Sequence, residues 1–196
     1  MRTNENPAVH VSPPSSVSVS ARSPVRFMDR TKRARIQVGA TVLVNGASGA
    51  FGSLAVRIAR QLGAARVIAT GRNPALPGQL GADAAITLGD DPDLVKRKMA
   101  TYFAGGIDIV LDYLWGPRAR SLLVAGAKAG PAGRPIRFVQ IGSISSAEIA
   151  MPAAVLCSSA IEMMGSGIGC VPLDRLLAAI KGAMSVADQI GLELPY

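Results

Sequence analysis

The hydrophobic positions of this chain alternate between short β-branched runs and longer segments with helical spacing. Residues 41–44 form an apolar run that ends in a glycine-rich turn, which is typical of a buried strand. Apolar residues then recur at helical spacing from Leu54 to Leu62, and Gly63 is a natural helix stop. A strand followed directly by a helix predicts the start of a βαβ unit.

The same alternation continues along the chain. Further strands are predicted at residues 66–70, 84–88, 107–112, 136–141 and 160–164. Further helices are predicted at residues 74–80, from Asp90 or Asp91 to Phe103, at 117–127 and at 172–187. Because strands that alternate with helices are joined by right-handed parallel crossovers, we predict an α/β fold. It is a Rossmann-type doubly wound parallel sheet of about six strands with helices on both faces.

A glycine-rich turn joins the first strand to the first helix. It consists of Gly46, Ala47, Ser48, Gly49, Ala50, Phe51 and Gly52. Counted from Ala47, it is an A-x-G-x-x-G form of the dinucleotide fingerprint, in the strand–turn–helix context that this motif requires. In such turns, Gly49 lets N–H groups approach a pyrophosphate and Gly52 lets the helix pack on the sheet. Ser48 offers a hydroxyl to a phosphate oxygen. We predict dinucleotide binding, with a purely structural tight turn as the alternative.

The end of the second strand indicates which dinucleotide binds. NAD-binding domains place an acidic residue here to bind the ribose 2′-OH. This chain has Thr70, Gly71, Arg72 and Asn73 instead. Because a guanidinium can form paired hydrogen bonds to a 2′-phosphate, the sequence favours NADP(H) as cofactor. The alternative is that Arg72 is a solvated loop residue.

Two later strand ends should line the same crevice, because ligands of open α/β sheets bind at the carboxyl ends of the strands. The candidate cofactor contacts there are Asp112, Tyr113, Ile141, Gly142 and Ser143. For Asp112, a role as a cap of the following helix is an equal alternative.

Composition narrows the function classes. The net charge is +8, but the first 37 residues hold seven of the 21 basic residues and only two of the 13 acids. We therefore predict a poorly ordered, basic, Ser/Pro-rich leader at residues 1–32 and an NADP(H)-binding Rossmann domain at residues 33–196. A nucleic-acid partner is not expected, because no binding motif accompanies the charge. No membrane contact is expected, since no stretch approaches the roughly 20 apolar residues of a membrane span.

The residues needed for several other chemistries are missing. Cys157, Cys170 and His10 do not form a metal-ligand pattern, so no metal site is predicted, and the thiols are expected to be reduced and in or near a core. Reduced thiols fit a cytoplasmic protein. A Ser-His-Asp triad is not expected with one histidine in the leader. The Tyr-x-x-x-Lys pair of short-chain dehydrogenases is absent, because Gly106 and Pro117 stand four residues after the two internal tyrosines.

A series of segments resembles the quinone-oxidoreductase-like branch of the medium-chain dehydrogenase/reductase superfamily. The matching segments are residues 35–52, 59–64, 80–83, 106–112 and 162–166, in the order found in the family. Together they span about residues 33–190. The resemblance implies NADP(H)-dependent hydride transfer to a quinone, enone or aldehyde. It also implies a homodimer in which the strand at residues 160–164 lies at the subunit interface.

The chain also departs from this family. Family members carry an N-terminal GroES-like domain that forms the other wall of the active site, and here only the dissimilar leader precedes the nucleotide domain. The catalytic zinc ligands of the zinc-type branch belong largely to that domain, so no catalytic residue and no metal ligand can be assigned. Two hypotheses follow. The first is an NADPH-dependent oxidoreductase, and the second is a non-catalytic dinucleotide-binding module.

Overall fold

The structure, a computed structural model, describes residues 34–73 and 75–167 together with the single positions 170, 172, 174 and 177. The predicted leader at residues 1–32 lies outside the described residues. So does the predicted last helix at residues 172–187, apart from single positions.

Six strands and five helices alternate along the described chain. The strands are β1 (Thr41–Asn45), β2 (Arg66–Gly71), β3 (Ala84–Thr87), β4 (Ile109–Asp112), β5 (Ile136–Gln140) and β6 (Ile161–Gly165). The helices are α1 (Ala50–Gln61), α2 (Leu76–Gln79), α3 (Pro92–Ala104), α4 (Gly116–Ala129) and α5 (Ala154–Cys157). Asp91 caps α3 by accepting the N–H groups of Asp93 and Leu94, and Pro92 occupies its first turn, as the sequence predicts.

All six strands are parallel and form one sheet in the order β3-β2-β1-β4-β5-β6. The predicted doubly wound α/β fold is therefore confirmed. In this order, β2 and β3 lie on one side of β1, and β5 and β6 lie on the far side of β4. The carboxyl ends of β1 and β4 therefore flank the topological switch point, which is where ligands of such sheets bind.

Two apolar layers cover the two faces of the sheet. Alternate residues of β1 point to opposite faces, because side chains alternate along a strand. Val42 and Val44 pack in the layer that contains Val56 of α1. Leu43 packs in the other layer, against buried residues of α3 and α4 that include Phe103. A sheet buried on both faces explains why the central strands appear in the sequence as short continuous apolar runs.

Several details differ from the sequence-based expectations. The fourth strand begins at Ile109 rather than at residue 107. Asp108, just before it, accepts the N–H of Thr41 and the guanidinium of Arg134 with its carboxylate. The short helix α5 was not predicted. The expected core location of the thiols is wrong, because Cys157 and Cys170 are both exposed.

None of the described helices is long and apolar enough to cross a membrane.

Candidate nucleotide-binding site

The structure brings the predicted site segments together at one edge of the sheet. β1, β2, β4 and β5 end at Asn45, Gly71, Asp112 and Gln140, and these ends lie side by side because the strands are parallel and in register. Each predicted cofactor-binding segment follows one of these ends. The glycine-rich turn at residues 46–52, called the phosphate turn from here on, and the segment after β4 flank the switch point itself.

Two hydrogen bonds to β2 hold the phosphate turn in place. Gly46 has φ +92°, a backbone conformation that favours glycine, and a Cβ added to it would lie 2.9 Å from the Leu114 side chain. Its N–H donates to Oγ1 of Thr70 at 3.0 Å, and the N–H of Ala47 donates to the carbonyl of Thr70 at 2.9 Å. The turn is therefore held in one conformation before any ligand is considered.

Gly52 and Gly49 lack side chains for different reasons. A Cβ on Gly52 would overlap the carbonyl oxygen of Gly46 and lie 2.9 Å from Cα of Ala47, so the close packing of α1 on the turn requires glycine there. At Gly49 the nearest atom to an added Cβ would be the Gly46 oxygen at 3.7 Å, an ordinary contact, and φ is −85°. The part of the chain that the structure describes therefore does not require glycine at position 49.

The amino terminus of α1 opens at this turn. Its N-cap residue, Gly49, provides no side-chain hydrogen bond, and the first turn holds no acidic residue. Ser48, Gly49 and Ala50 are exposed, and Phe51 is 76% exposed. Because the first N–H groups of a helix have no partners within the helix and carry partial positive charge, they are suited to an anionic ligand.

A chain of buried side-chain hydrogen bonds links the ends of β2, β1 and β4. Thr70 Oγ1 donates to Oδ1 of Asn45 at 2.6 Å, and Asn45 Nδ2 donates to Oδ1 of Asp112 at 2.7 Å. Asp112 also accepts the N–H groups of Leu114 and Trp115. All three side chains are fully buried. Thr70 and Asp112, predicted as cofactor contacts, thus have side chains that face the interior and hold the site in place.

Asn45 is the member of this chain that the sequence analysis missed. The available signal was a polar residue directly after a buried apolar run. The alternative that Asp112 caps the next helix is close to what the structure shows. Its carboxylate satisfies the N–H groups just before α4, whose N-cap position is Trp115.

Burial affects two ionisable groups beside the switch point. Desolvation raises the pKa of Asp112 above its ordinary value of 3.8, while the hydrogen bonds from Asn45, Leu114 and Trp115 oppose the rise. Desolvation also raises the pKa of Tyr113 to about 12, so this phenol keeps its proton at any physiological pH.

At the end of β2, one buried residue is followed by two exposed residues. Gly71 is buried, and a Cβ added to it would overlap Oγ of Ser48 in the phosphate turn. Arg72 and Asn73 are exposed. The side chain of Asn73 accepts the N–H of Ala75 at 3.0 Å, which stabilises the turn after β2.

The ends of β4 and β5 pack closely on each other. Tyr113 is partly buried, and its N–H donates to the carbonyl of Asn45 at 3.0 Å. The N–H groups of Ile141 and Gly142 both donate to the carbonyl of Asp112, at 2.8 and 3.1 Å. A Cβ on Gly142 would lie 2.6 Å from the carbonyl oxygen of Tyr113, so glycine permits this approach. Ser143, the next residue, is exposed.

A separate cavity lies at the opposite edge of the sheet. It has a volume of about 430 Å³ and is lined by residues that precede β1, β4 and β5, among them Gly39, Asp108 and Pro135. It shares no residue with the predicted cofactor contacts. Among the described residues, no group of three or more His, Cys, Asp or Glu side chains is placed to hold a metal ion.

Comparison with known proteins shows which proteins this chain is similar to. The probable NADPH-dependent quinone reductase tdiC of Emericella nidulans is 32% identical over 161 residues, which cover 75% of this chain and 44% of that protein. The solved quinone oxidoreductase of Thermus thermophilus, also determined with NADPH, is 29% identical with a TM-score of 0.58, and the match covers 85% of this chain and 50% of that one. This chain is therefore similar to quinone oxidoreductases in both sequence and fold.

The relationship concerns only part of those proteins. The chain spans less than half the length of the curated relatives it matches. A putative NADPH:quinone reductase of Bacillus thuringiensis has a TM-score of 0.66 at 19% identity, covering 87% of this chain and 51% of that one, and supports the fold alone. No protein-family model matches the chain.

Proposed function

We propose that this domain binds NADP(H) at the carboxyl edge of the sheet and belongs to an oxidoreductase that reduces a quinone, enone or aldehyde. The observation on which this depends is the phosphate turn. It combines an uncapped helix terminus with Gly49, a glycine for which the packing of the chain gives no reason. A dinucleotide pyrophosphate supplies that reason, because its oxygens need close access to the backbone N–H groups.

The pyrophosphate would be held by the turn residues. The exposed backbone of Ala50 and Phe51 provides N–H donors, and the dipole of α1 favours the negative charge. Gly46, Ala47 and Gly52 contribute by shaping the turn, since each is buried. Thr70 and Asp112 act one layer further in, as positioning residues connected through Asn45.

The choice of NADP(H) over NAD(H) is assigned to Arg72. It is exposed at the carboxyl end of β2, where an acidic residue would bind a ribose 2′-OH and repel a 2′-phosphate. The names of the similar proteins agree with this choice, because tdiC is described as NADPH-dependent and the Thermus thermophilus enzyme was solved with NADPH.

The other end of the cofactor would lie over β4 and β5. When bound, NADPH supplies the hydride for the reduction. This chain would contribute one wall of the nicotinamide site, made of the partly buried Tyr113 and the backbone of Ile141 and Gly142. It would also contribute the exposed Ser143. The phenol of Tyr113 stays protonated at physiological pH and therefore does not act as a base.

Three further properties are part of the proposal. The NADP(H)-binding domain begins near residue 33, and the protein works in the cytoplasm. It forms a homodimer through β6, which lies at the edge of the sheet and pairs only with β5 among the described strands. An edge strand offers unpaired backbone groups to a second copy.

Titration of the full chain with NADPH and with NADH tests the binding step. We expect saturable binding with a clear preference for NADPH. Oxidation of NADPH in the presence of a quinone, an enone and an aldehyde then tests the reaction. Binding with no turnover of any acceptor would support the non-catalytic module instead, and absence of binding to both cofactors would refute the proposal.

A further inference from the structure

Ser48 and Gly71 are fitted to each other across the gap between the phosphate turn and β2. A Cβ on Gly71 would overlap Oγ of Ser48, whereas it would lie 3.7 Å from Cβ of Ser48, an ordinary contact. Gly71 does not have a positive φ, so its backbone conformation does not require glycine. Among the described residues, only the hydroxyl at position 48 lies too close for a side chain at position 71.

The hydroxyl of Ser48 is placed for a ligand. Among the described residues it has no hydrogen-bond partner, although other hydroxyls such as those of Ser53 and Thr70 do. Ser48 is exposed while Gly71 is buried, so the hydroxyl lies where the end of β2 meets the open crevice. Arg72 follows Gly71 directly and is exposed, so the hydroxyl and this residue lie at the same strand end.

The position of the Ser48 hydroxyl indicates which of two groups of the cofactor it binds. The pyrophosphate is bound at the N-terminus of α1, from Gly49 onward, whereas the ribose 2′ group is recognised at the end of β2. Ser48 precedes the N-cap residue, and its Oγ lies against Gly71. We infer that Ser48 is a specificity-determining residue, whose hydroxyl donates to the 2′-phosphate beside Arg72 and is kept in place by the space at Gly71.

This inference rests on the proposed function, because it requires NADP(H) as the ligand. Its test is a double-mutant cycle on the ratio of the dissociation constants for NADH and NADPH, measured by calorimetry on the full chain. Ser48→Ala should lower this ratio by about tenfold, the scale of one hydrogen bond to a charged group, and leave the NADH constant nearly unchanged. Gly71→Ala should lower it similarly, because the new methyl group displaces the hydroxyl.

The double variant distinguishes this mechanism from a general disturbance of the turn. Once residue 48 is alanine, the methyl group at position 71 meets only the Cβ at 3.7 Å. Gly71→Ala should therefore have no further effect on the ratio in the Ser48→Ala background. Ser121→Ala and Gly105→Ala are matched controls outside the site. Ser121 lies on the exposed surface of α4, and an added Cβ at Gly105 would make only ordinary contacts.

The outcomes separate this inference from the proposed function. If Ser48→Ala weakens both cofactors equally, the hydroxyl binds the shared pyrophosphate, so the inference is wrong while the proposed function stands. Additive effects of the two substitutions would also overturn the inference. Failure of the unsubstituted chain to bind either cofactor would overturn both.

Discussion

Asn45 and Asp112 are joined by a buried hydrogen bond of 2.7 Å between Nδ2 of the amide and Oδ1 of the carboxylate. They are register partners on β1 and β4, so the bond closes the sheet at its topological switch point. The other end of the Asn45 amide accepts from Thr70 on β2. The site is therefore built on three strands whose ends are fixed by one another.

Removing this amide should destabilise the fold. Asn45→Ala leaves a buried carboxylate and a buried hydroxyl each without one partner. We expect it to lower the free energy of unfolding by about 1–3 kcal/mol, because unsatisfied buried groups lose their solvation without compensation. Urea denaturation measures the change. Asn73→Ala is the matched control, since Asn73 is exposed and bonds only locally, and it should cost much less. If both variants lost the same free energy of unfolding, the buried hydrogen bonds of Asn45 would contribute no more to stability than the exposed bond of Asn73.

Asp112 should give the stability a distinctive pH dependence. Burial raises its folded-state pKa above 3.8. As the pH rises above 3.8, the unfolded chain loses this proton before the folded chain does, so the contribution of Asp112 to stability falls until the folded-state pKa is passed. Asp112→Asn can accept the same bonds from Asn45 and Leu114 but does not ionise. The free energy of unfolding of this variant, relative to the unsubstituted chain, should therefore increase over that pH range.

Urea titrations of both proteins at several pH values from about 3 upward would measure this difference, in the range where a carboxyl group titrates. Other carboxylates cancel in it. For example, desolvation tends to raise the pKa of Asp83, but the bonds from Arg60 and from the N–H of Val67 lower it below its ordinary value. This holds in both proteins. A difference that stays constant with pH would show that Asp112 titrates normally.

The sequence predicted the scaffold well but not the buried polar chain. Strands such as β1 and β2 are buried on both faces, so their β-branched runs stand out in the sequence. The hydrogen bonds of Asn45 join residues 25 and 67 positions apart, and they depend on strand register that no local pattern records. Thr70 and Asp112 could therefore be assigned to the site, but the direction of their side chains could not be predicted. Only the structure shows that Ser48 lies against Gly71.

Gly49 and Gly52 should respond differently to the same substitution. Gly52→Ala places a methyl group into the backbone of Gly46 and Ala47 and should cost about 1–3 kcal/mol of stability, the usual effect of overpacking. Gly49→Ala meets no atom closer than 3.7 Å, so we expect a loss below about 1 kcal/mol, as for a small change at an N-cap. Its NADPH affinity should nevertheless fall by about tenfold or more, because the methyl group occupies the space of the pyrophosphate.

Thermal or urea denaturation and NADPH titration of both variants test this contrast. The critical measurement is the affinity of the stably folded Gly49→Ala protein. Retention of full NADPH affinity there would remove the main support for a phosphate site at this turn.

Arg72 should determine the preference between the two cofactors. Arg72→Asp replaces a guanidinium by a carboxylate at the end of β2, so it should weaken NADPH binding by about 1–3 kcal/mol and leave NADH binding nearly unchanged. Arg97→Asp makes the same change of charge at an exposed position on α3, a helix that covers the face of the sheet opposite α1. It should alter neither affinity by more than a small amount. The NADPH affinity of the unsubstituted chain should also decline with added salt, because exposed charges are screened. If both aspartate variants weaken NADPH equally, the preference comes from overall charge, and Arg72 has no special role.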